Sequence, residues 1–503
     1  QRQMCIRDSP ITRLDYPDPD VIRVEDTYYM VSTTMHFMPG CEILQSFDLV
    51  HWEHVTYVYE TLDHTDAQQL KSGQNIYGQG MWAASLRYHE GRFYICFVAN
   101  DTRKTYLYTS EKIDGPWKKQ LIEGFYHDGS LLFDEDGRNY IVYGNDEIWI
   151  TELNEDLTAP KKDGLHRLLV SDHKNPELGY EGSHIQKING YYYIFLVHSL
   201  RDRWMRTEAC FYSDSLEGEF TGGDVLCDDR GYCGQGVAQG GIVDTPDGKW
   251  YAMLFQDSRA VGRIPILLPV TWKDHFPFFG QNGHVPEEIE VHSTRPGYIY
   301  QPLVGSDDFC NGLLPRWQFN HDPDPRYYHL DALQGTYTIT TREVCTELTQ
   351  AVNTLTQRMS YPSCAAEVTV DASALKEGDV AGLCALQSCY AAVGITKHHG
   401  KYEVLMLDKK EDGILDMTEG TVVESHQMDF RLEADFCNMK DEARCYYRVN
   451  KGDWLPIGTV HKLYFKMDHF TGCRFGLFCY AAEETGGSAC FRDFKYYDVD
   501  EIS

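Results

Sequence analysis

Three acidic residues, Asp18, Asp128 and Glu181, stand at the same place in three copies of one repeated segment. Carboxylates brought close together repel one another, which separates their pKa values and assigns acid and base roles. Acid–base chemistry on an uncharged substrate needs that arrangement. The same place in two further copies holds Trp82 and Gln239. An indole offers a flat apolar face on which a sugar ring can stack. An Asp before a strand is usually a turn cap. Three equivalent carboxylates in three repeats are a joint pattern that capping alone does not explain.

The element that positions them is the repeat itself. Its copies begin DPDVIRVEDTYYMV at Asp18, WAASLRYHEGRFYIC at Trp82, DGSLLFDEDGRNYIV at Asp128, EGSHIQKINGYYYIF at Glu181 and QGGIVDTPDGKWYAM at Gln239. Each runs from a distinctive opening residue through a short apolar strand and a tight turn to an aromatic strand. The turns, Glu25-Asp26, Glu90-Gly91, Asp136-Gly137, Asn189-Gly190 and Asp247-Gly248, are hairpin chemistry. A Tyr recurs 11 or 12 positions after each opening residue, as Tyr29, Tyr94, Tyr140, Tyr193 and Tyr251. A weaker repeat, SFDLVHW, SEKIDGPW and SDSLEGEF, closes three of the units, which recur every 46 to 64 residues. About four short strands per unit is the signature of propeller blades. Five units predict a five-bladed β-propeller, with the opening residues ringing one mouth of its axial channel.

Beyond the propeller, strand patterns such as AAEVTVDAS, AGLCALQS, YEVLMLD and RFGLFCY fill the chain. They predict a two-sheet β-sandwich. The expected organisation is all-β, with a catalytic propeller over 10–300 and a sandwich over 304–503. The chain of 503 residues carries a formal net charge of −30, which repels nucleic acid and anionic membranes and excludes both as partners. No apolar run reaches membrane length. None of the 16 cysteines forms a CxxC and no Cys/His cluster has zinc spacing, so no metal is expected from them. They read as reduced, buried thiols of a cytoplasmic protein. No signal peptide is visible. The opening stretch 1–9 has no pattern of its own, and the native start reads as missing or replaced there.

Several segments resemble glycoside hydrolase family 43. They are DYPDPDVIRVEDTYYMVSTT, PGCEILQSFDLVHWE, MWAASLRYHEGRFYICF, YHDGSLLFDEDGR, YEGSHIQKINGYYYIF and QGGIVDTPDGKWYAMLFQDSRAVGRIPILLPVTW. The part from DDFCNGLLPRWQFNHDPD onward is similar to the concanavalin-like domain attached to family β-xylosidases, where it sends a loop over the mouth. The resemblance implies an inverting hydrolase with Asp18 as general base, Glu181 as general acid, and Asp128 orienting the acid and tuning its pKa. The two working carboxyls should then lie about 6.5–9.5 Å apart. It also implies that Arg263 contacts substrate; the alternative is a salt bridge shoring up the acidic cluster. Many members hold a calcium ion or a water with a His where this chain has Gln239. An amide is a weaker ligand, which puts a structural calcium in doubt, and the implied chemistry itself requires no cofactor. Where many family xylosidases place two bulky aromatics, near Met35 and His36, only Phe37 has the size to face a sugar.

The implied activity is release of xylose from the non-reducing ends of xylo-oligosaccharides. An α-L-arabinofuranosidase acting on arabinose-decorated oligosaccharides shares the fold and the residues. A non-catalytic sugar-binding propeller would be expected to have lost one of the three carboxylates. Oligomeric state is not readable from the sequence.

Overall fold

The computed structural model describes residues 4–6, 11–232 and 234–498; most of the stretch 1–9 lies outside them. The chain is all-β. Its described helices are short 3₁₀ turns, and none is long and apolar enough to cross a membrane.

Five four-stranded sheets follow one another; four are made of strands consecutive in the chain, and the first skips one short strand between its second and third. Their first strands are Asp20–Val24, Met81–His89, Ser130–Phe133, Glu181–Ile188 and Ala238–Asp244. These five touch in a closed ring, each against the next and the fifth against the first. The molecule is thus a five-bladed propeller, as its repeats predict. The hairpins explain the regularity. Val24 pairs with Thr27, His89 with Arg92 and Ile188 with Tyr191, so three blades turn in two residues. Such loops need left-handed backbone, and Glu25, Glu90, Gly91, Asn189 and Gly190 all have positive φ.

One apolar cluster lies between each pair of neighbouring blades. The segment leading into the first blade closes the ring with backbone bonds to the fifth, from Ile11 N to Pro265 O at 3.3 Å and from Tyr16 N to Arg263 O at 3.0 Å, and side chains seal the seam. Tyr16, Val21, Val243 and Tyr251 share a core there, and Arg23 pairs with Asp244 across the same seam. Lower in the channel, Asp20 accepts from Arg87 Nη1 at 2.9 Å and meets His184 Nδ1 at 3.0 Å. Arg87 also donates to Ser130 Oγ at 2.6 Å and to Leu131 O at 2.9 Å. This plug ties four blades together beneath the ring of opening residues.

Two sheets of nine and seven strands form the sandwich, around a core that includes Trp317, Phe430, Phe475 and Phe491. One strand of the larger sheet comes from the propeller: Phe37–Met38, in the mouth loop of the first blade, pairs antiparallel with Gln318–Asn320. This corrects the sequence reading of Phe37. Its ring is 2% exposed, lies 3.4 Å beneath the Arg474 guanidinium, and packs with Val380, Tyr390 and Phe478 in the domain junction. It is a joint between domains rather than a sugar-facing wall.

The junction is polar as well as apolar. Arg358 is buried against Glu42 at 3.0 Å and over the ring of Tyr16 at 4.0 Å, and its Nε donates to the Asp15 carbonyl at 2.8 Å. The Asp15 carboxylate accepts from Arg263 N at 2.8 Å and from Gly472 N at 2.9 Å. One buried carboxylate therefore fastens a sandwich loop to the strand that carries Arg263.

Candidate active site at the propeller mouth

All five opening residues gather at one mouth, and the backbone turns them inward in two ways. Asp18 and Asp128 precede their strands with φ of 53° and 47°. That left-handed conformation is sparsely populated for a residue with a side chain, and it persists where surrounding structure enforces it. Trp82 and Glu181 instead sit beside breaks in strand register, between Trp82 and Ser85 and between Glu181 and His184, and Gln239 combines both devices, with a φ of 64° at the break between Ala238 and Gly241. A bulge adds a residue and re-aims the side chain before it.

Asp18 is 7% exposed. Its carboxylate accepts from Thr33 Oγ1 at 2.6 Å and from Arg263 Nη1 at 3.2 Å. Arg263 is itself buried, and this contact is a salt bridge to the acidic cluster. Asp128, 6% exposed, accepts from Gly182 N at 2.9 Å. Glu181 accepts from Asn145 Nδ2 at 2.9 Å and meets His127 Nε2 at 3.2 Å. Its side chain is 20% exposed, which makes it more open than the two aspartates. The Gln239 amide packs against Gly182, where a Cβ would lie 2.7 Å from Gln239 Cγ. Its backbone N–H donates to Glu208 at 2.7 Å.

Charge inside the cluster is short of balance. Three carboxylates face one guanidinium and one imidazole. Burial, followed by the neighbouring carboxylates Glu181 and Asp18, outweighs the pull of His127 and raises the Asp128 carboxyl to about 6. Burial opposes a charge on His127, but Asp128, Glu181 and Asp18 together raise it to about 9. The cluster therefore holds a proton close to neutrality beside a cation. The ligand atoms of His127, Asp128 and Glu181 come within 4.8 Å of one another.

Aromatic walls complete the mouth. Trp82 is half-buried, edge-on to His127 with 6.2 Å between ring centres. Phe470 comes from the sandwich, in the loop fastened by Asp15. Its ring lies 5.5 Å from that of Trp82 and 4.2 Å from the Arg263 guanidinium, and its carbonyl accepts from Arg263 Nη2 at 3.4 Å. The mouth is thus built by both domains.

The structure brings together Asp18, Asp128, Glu181, Trp82, Arg263 and Gln239, and places Phe37 elsewhere. Sequence reasoning missed Thr33, His127, Asn145 and Phe470. A signal for His127 was present. The residues before the five opening positions are Pro17, Met81, His127, Tyr180 and Ala238, and only the histidine exchanges a proton near neutral pH. Phe470 lies outside every repeat, so nothing local marks it.

Comparison with known proteins agrees with this geometry. The family described as Glycosyl hydrolases family 43 matches residues 7–277, and the Beta xylosidase C-terminal Concanavalin A-like domain matches residues 306–497. A solved structure from Bacteroides eggerthii, described as a bifunctional GH43-CE, is 42% identical with a TM-score of 0.91 over 97% of this chain. The present chain spans 63% of that protein's length. A beta-xylosidase of Formosa agariphila is 26% identical over 98% of this chain and 89% of its own. A non-reducing end alpha-L-arabinofuranosidase of Bacteroides ovatus is 24% identical over 83% and 80%. With the propeller, the acidic mouth and more than half of the sequence matched, the chain belongs to glycosyl hydrolases family 43.

Proposed function

We propose that the chain is an inverting, exo-acting glycoside hydrolase that releases xylose from the non-reducing ends of xylo-oligosaccharides. The observation that carries this is the graded acidic cluster. Asp18 is engaged by Arg263 and Thr33, buried Asp128 retains a proton to about pH 6, and Glu181 is the most open of the three. In this reading Asp18 takes a proton from a water molecule whose oxygen attacks the anomeric carbon. Glu181 gives its proton to the departing glycosidic oxygen, and the configuration inverts. Asp128 and His127 hold Glu181 in place. No step calls on a cofactor.

Phe470, Trp82 and Arg263 wall one side of the propeller mouth, which favours a terminal sugar over a chain passing through. A second reading, α-L-arabinofuranosidase, is favoured by the similarity to the Bacteroides ovatus enzyme. A reducing compartment belongs to the same proposal, since the described cysteines are all free thiols.

The test is a panel of nitrophenyl glycosides, with product configuration followed by NMR. Rapid cleavage of the β-xyloside with α-xylose as first product supports the proposal. Preference for the α-L-arabinofuranoside selects the second reading. Retention of configuration overturns the assigned roles.

A further inference from the structure

Among the described residues, His127 is the side chain that reaches both Glu181 and Asp128. Its Nε2 lies 3.2 Å from Glu181 Oε2 and 3.5 Å from Asp128 Oδ2. The residue itself is fixed, because its carbonyl accepts from Gly144 N at 3.1 Å and its ring stands edge-on to Trp82. The charged groups around it are few. Asp128 is its neighbour in the third blade, Glu181 faces it from the fourth and Asp18 from the first, with Arg263 beyond, bound to Asp18. Asn145 shares Glu181 but carries no charge.

We propose that His127 is a positioning residue for the acid, whose imidazolium, bridging Glu181 and Asp128, sets the upper pH limit at which this pair can still pass a proton to the leaving oxygen. The inference rests on the proposed hydrolase reading and adds to it a residue that governs the acid. Asp128 and Glu181 bring carboxylate oxygens within 4.8 Å of one another, and carboxyls that interact strongly give up their protons in steps that belong to the pair. A cation donating to them favours their ionised forms and loosens that proton. As Glu181 loses its proton to the substrate, negative charge develops within hydrogen-bond reach of a positive ring, which lowers the cost of the transfer. The same ring makes the pair give up its proton earlier as pH rises. An imidazolium about 4 Å from a half-buried charge changes its titration by about one to two pH units.

The test compares wild type with His127→Phe, His127→Gln and His127→Lys. Carboxyl titrations of Asp128 and Glu181 are followed by ¹³C NMR without substrate, and pH profiles of kcat/KM on a nitrophenyl pentoside are recorded alongside. Both neutral variants should hold the pair's proton about one to two pH units higher, and the alkaline limb should move up with it. The lysine variant keeps a cation and should leave both close to wild type. A merely structural role would lower rates in all three variants without moving the limb, and that outcome overturns the inference. It also falls if the neutral variants titrate like wild type. If phenylalanine prevents folding, the glutamine variant gives the same reading. If the carboxyl titrations move as expected while no glycoside is cleaved even by wild type, the hydrolase reading fails and the role of His127 in the pair's titration stands.

Discussion

Asp128→Asn should make the protein more stable at alkaline pH while disabling it. The carboxyl is 6% exposed and titrates at about 6 rather than at the ordinary 3.8. Ionising it in the folded chain therefore costs about 3 kcal/mol more than in the unfolded one. Below pH 4 both states are protonated and the penalty is absent. It grows as pH rises from 4 to 6 and is complete above that. Asparagine never ionises, and its amide oxygen can still accept from Gly182 N, which now donates at 2.9 Å. The attraction between Asp128 and His127 is lost, and that loss is already part of the shifted titration. Urea unfolding should thus show the variant about 1–3 kcal/mol more stable than wild type at pH 8 and equal to it at pH 4. Activity should fall at least tenfold, since His127 and Glu181 lose their third partner. A variant less stable than wild type at pH 8, or a difference that does not change with pH, would refute the reasoning.

Three further outcomes are expected. Glu181→Gln should lose on the order of a hundredfold or more on substrates with poor leaving groups and clearly less on activated aryl glycosides; equal losses in paired kinetic assays would place the acid elsewhere. Phe470→Ala should leave the melting temperature nearly unchanged, but cut kcat/KM on xylobiose-sized substrates about tenfold by opening the mouth to water. Arg358→Ala should destabilise the protein by about 3–5 kcal/mol in chemical denaturation, because it leaves the Glu42 carboxylate buried without its guanidinium.

The propeller and its acidic ring were legible because repetition multiplies weak local signals. A single Asp before a strand says little, whereas Asp18, Asp128 and Glu181 in register say where a channel opens. The sandwich was legible at the level of strands. What stayed hidden depends on contacts between segments far apart in the chain. Phe37 looks like a sugar-facing aromatic until Gln318–Asn320 is laid beside it. Phe470 gains meaning only when Asp15 clamps Gly472 across 457 residues. His127 was readable in principle, since it stands beside a ring position, but the eye follows the residue that repeats rather than the neighbour that does not.

The strand that the first blade lends to the sandwich constrains the order in which the protein can be finished. Residues 37–38 leave the ribosome early, while Gln318, which donates to Pro39 at 2.7 Å, follows 279 residues later. At about 5–20 residues per second, roughly 15–55 s pass between the two. During that interval the blades can close around their axis, yet one rim of the mouth carries an unpaired strand with Phe37 and Met38 uncovered. Such an edge invites pairing with other chains, so the nascent propeller needs shielding while its partner is still being made. The enzyme acquires its finished pocket only when the last third of the chain has emerged and folded back on the first blade.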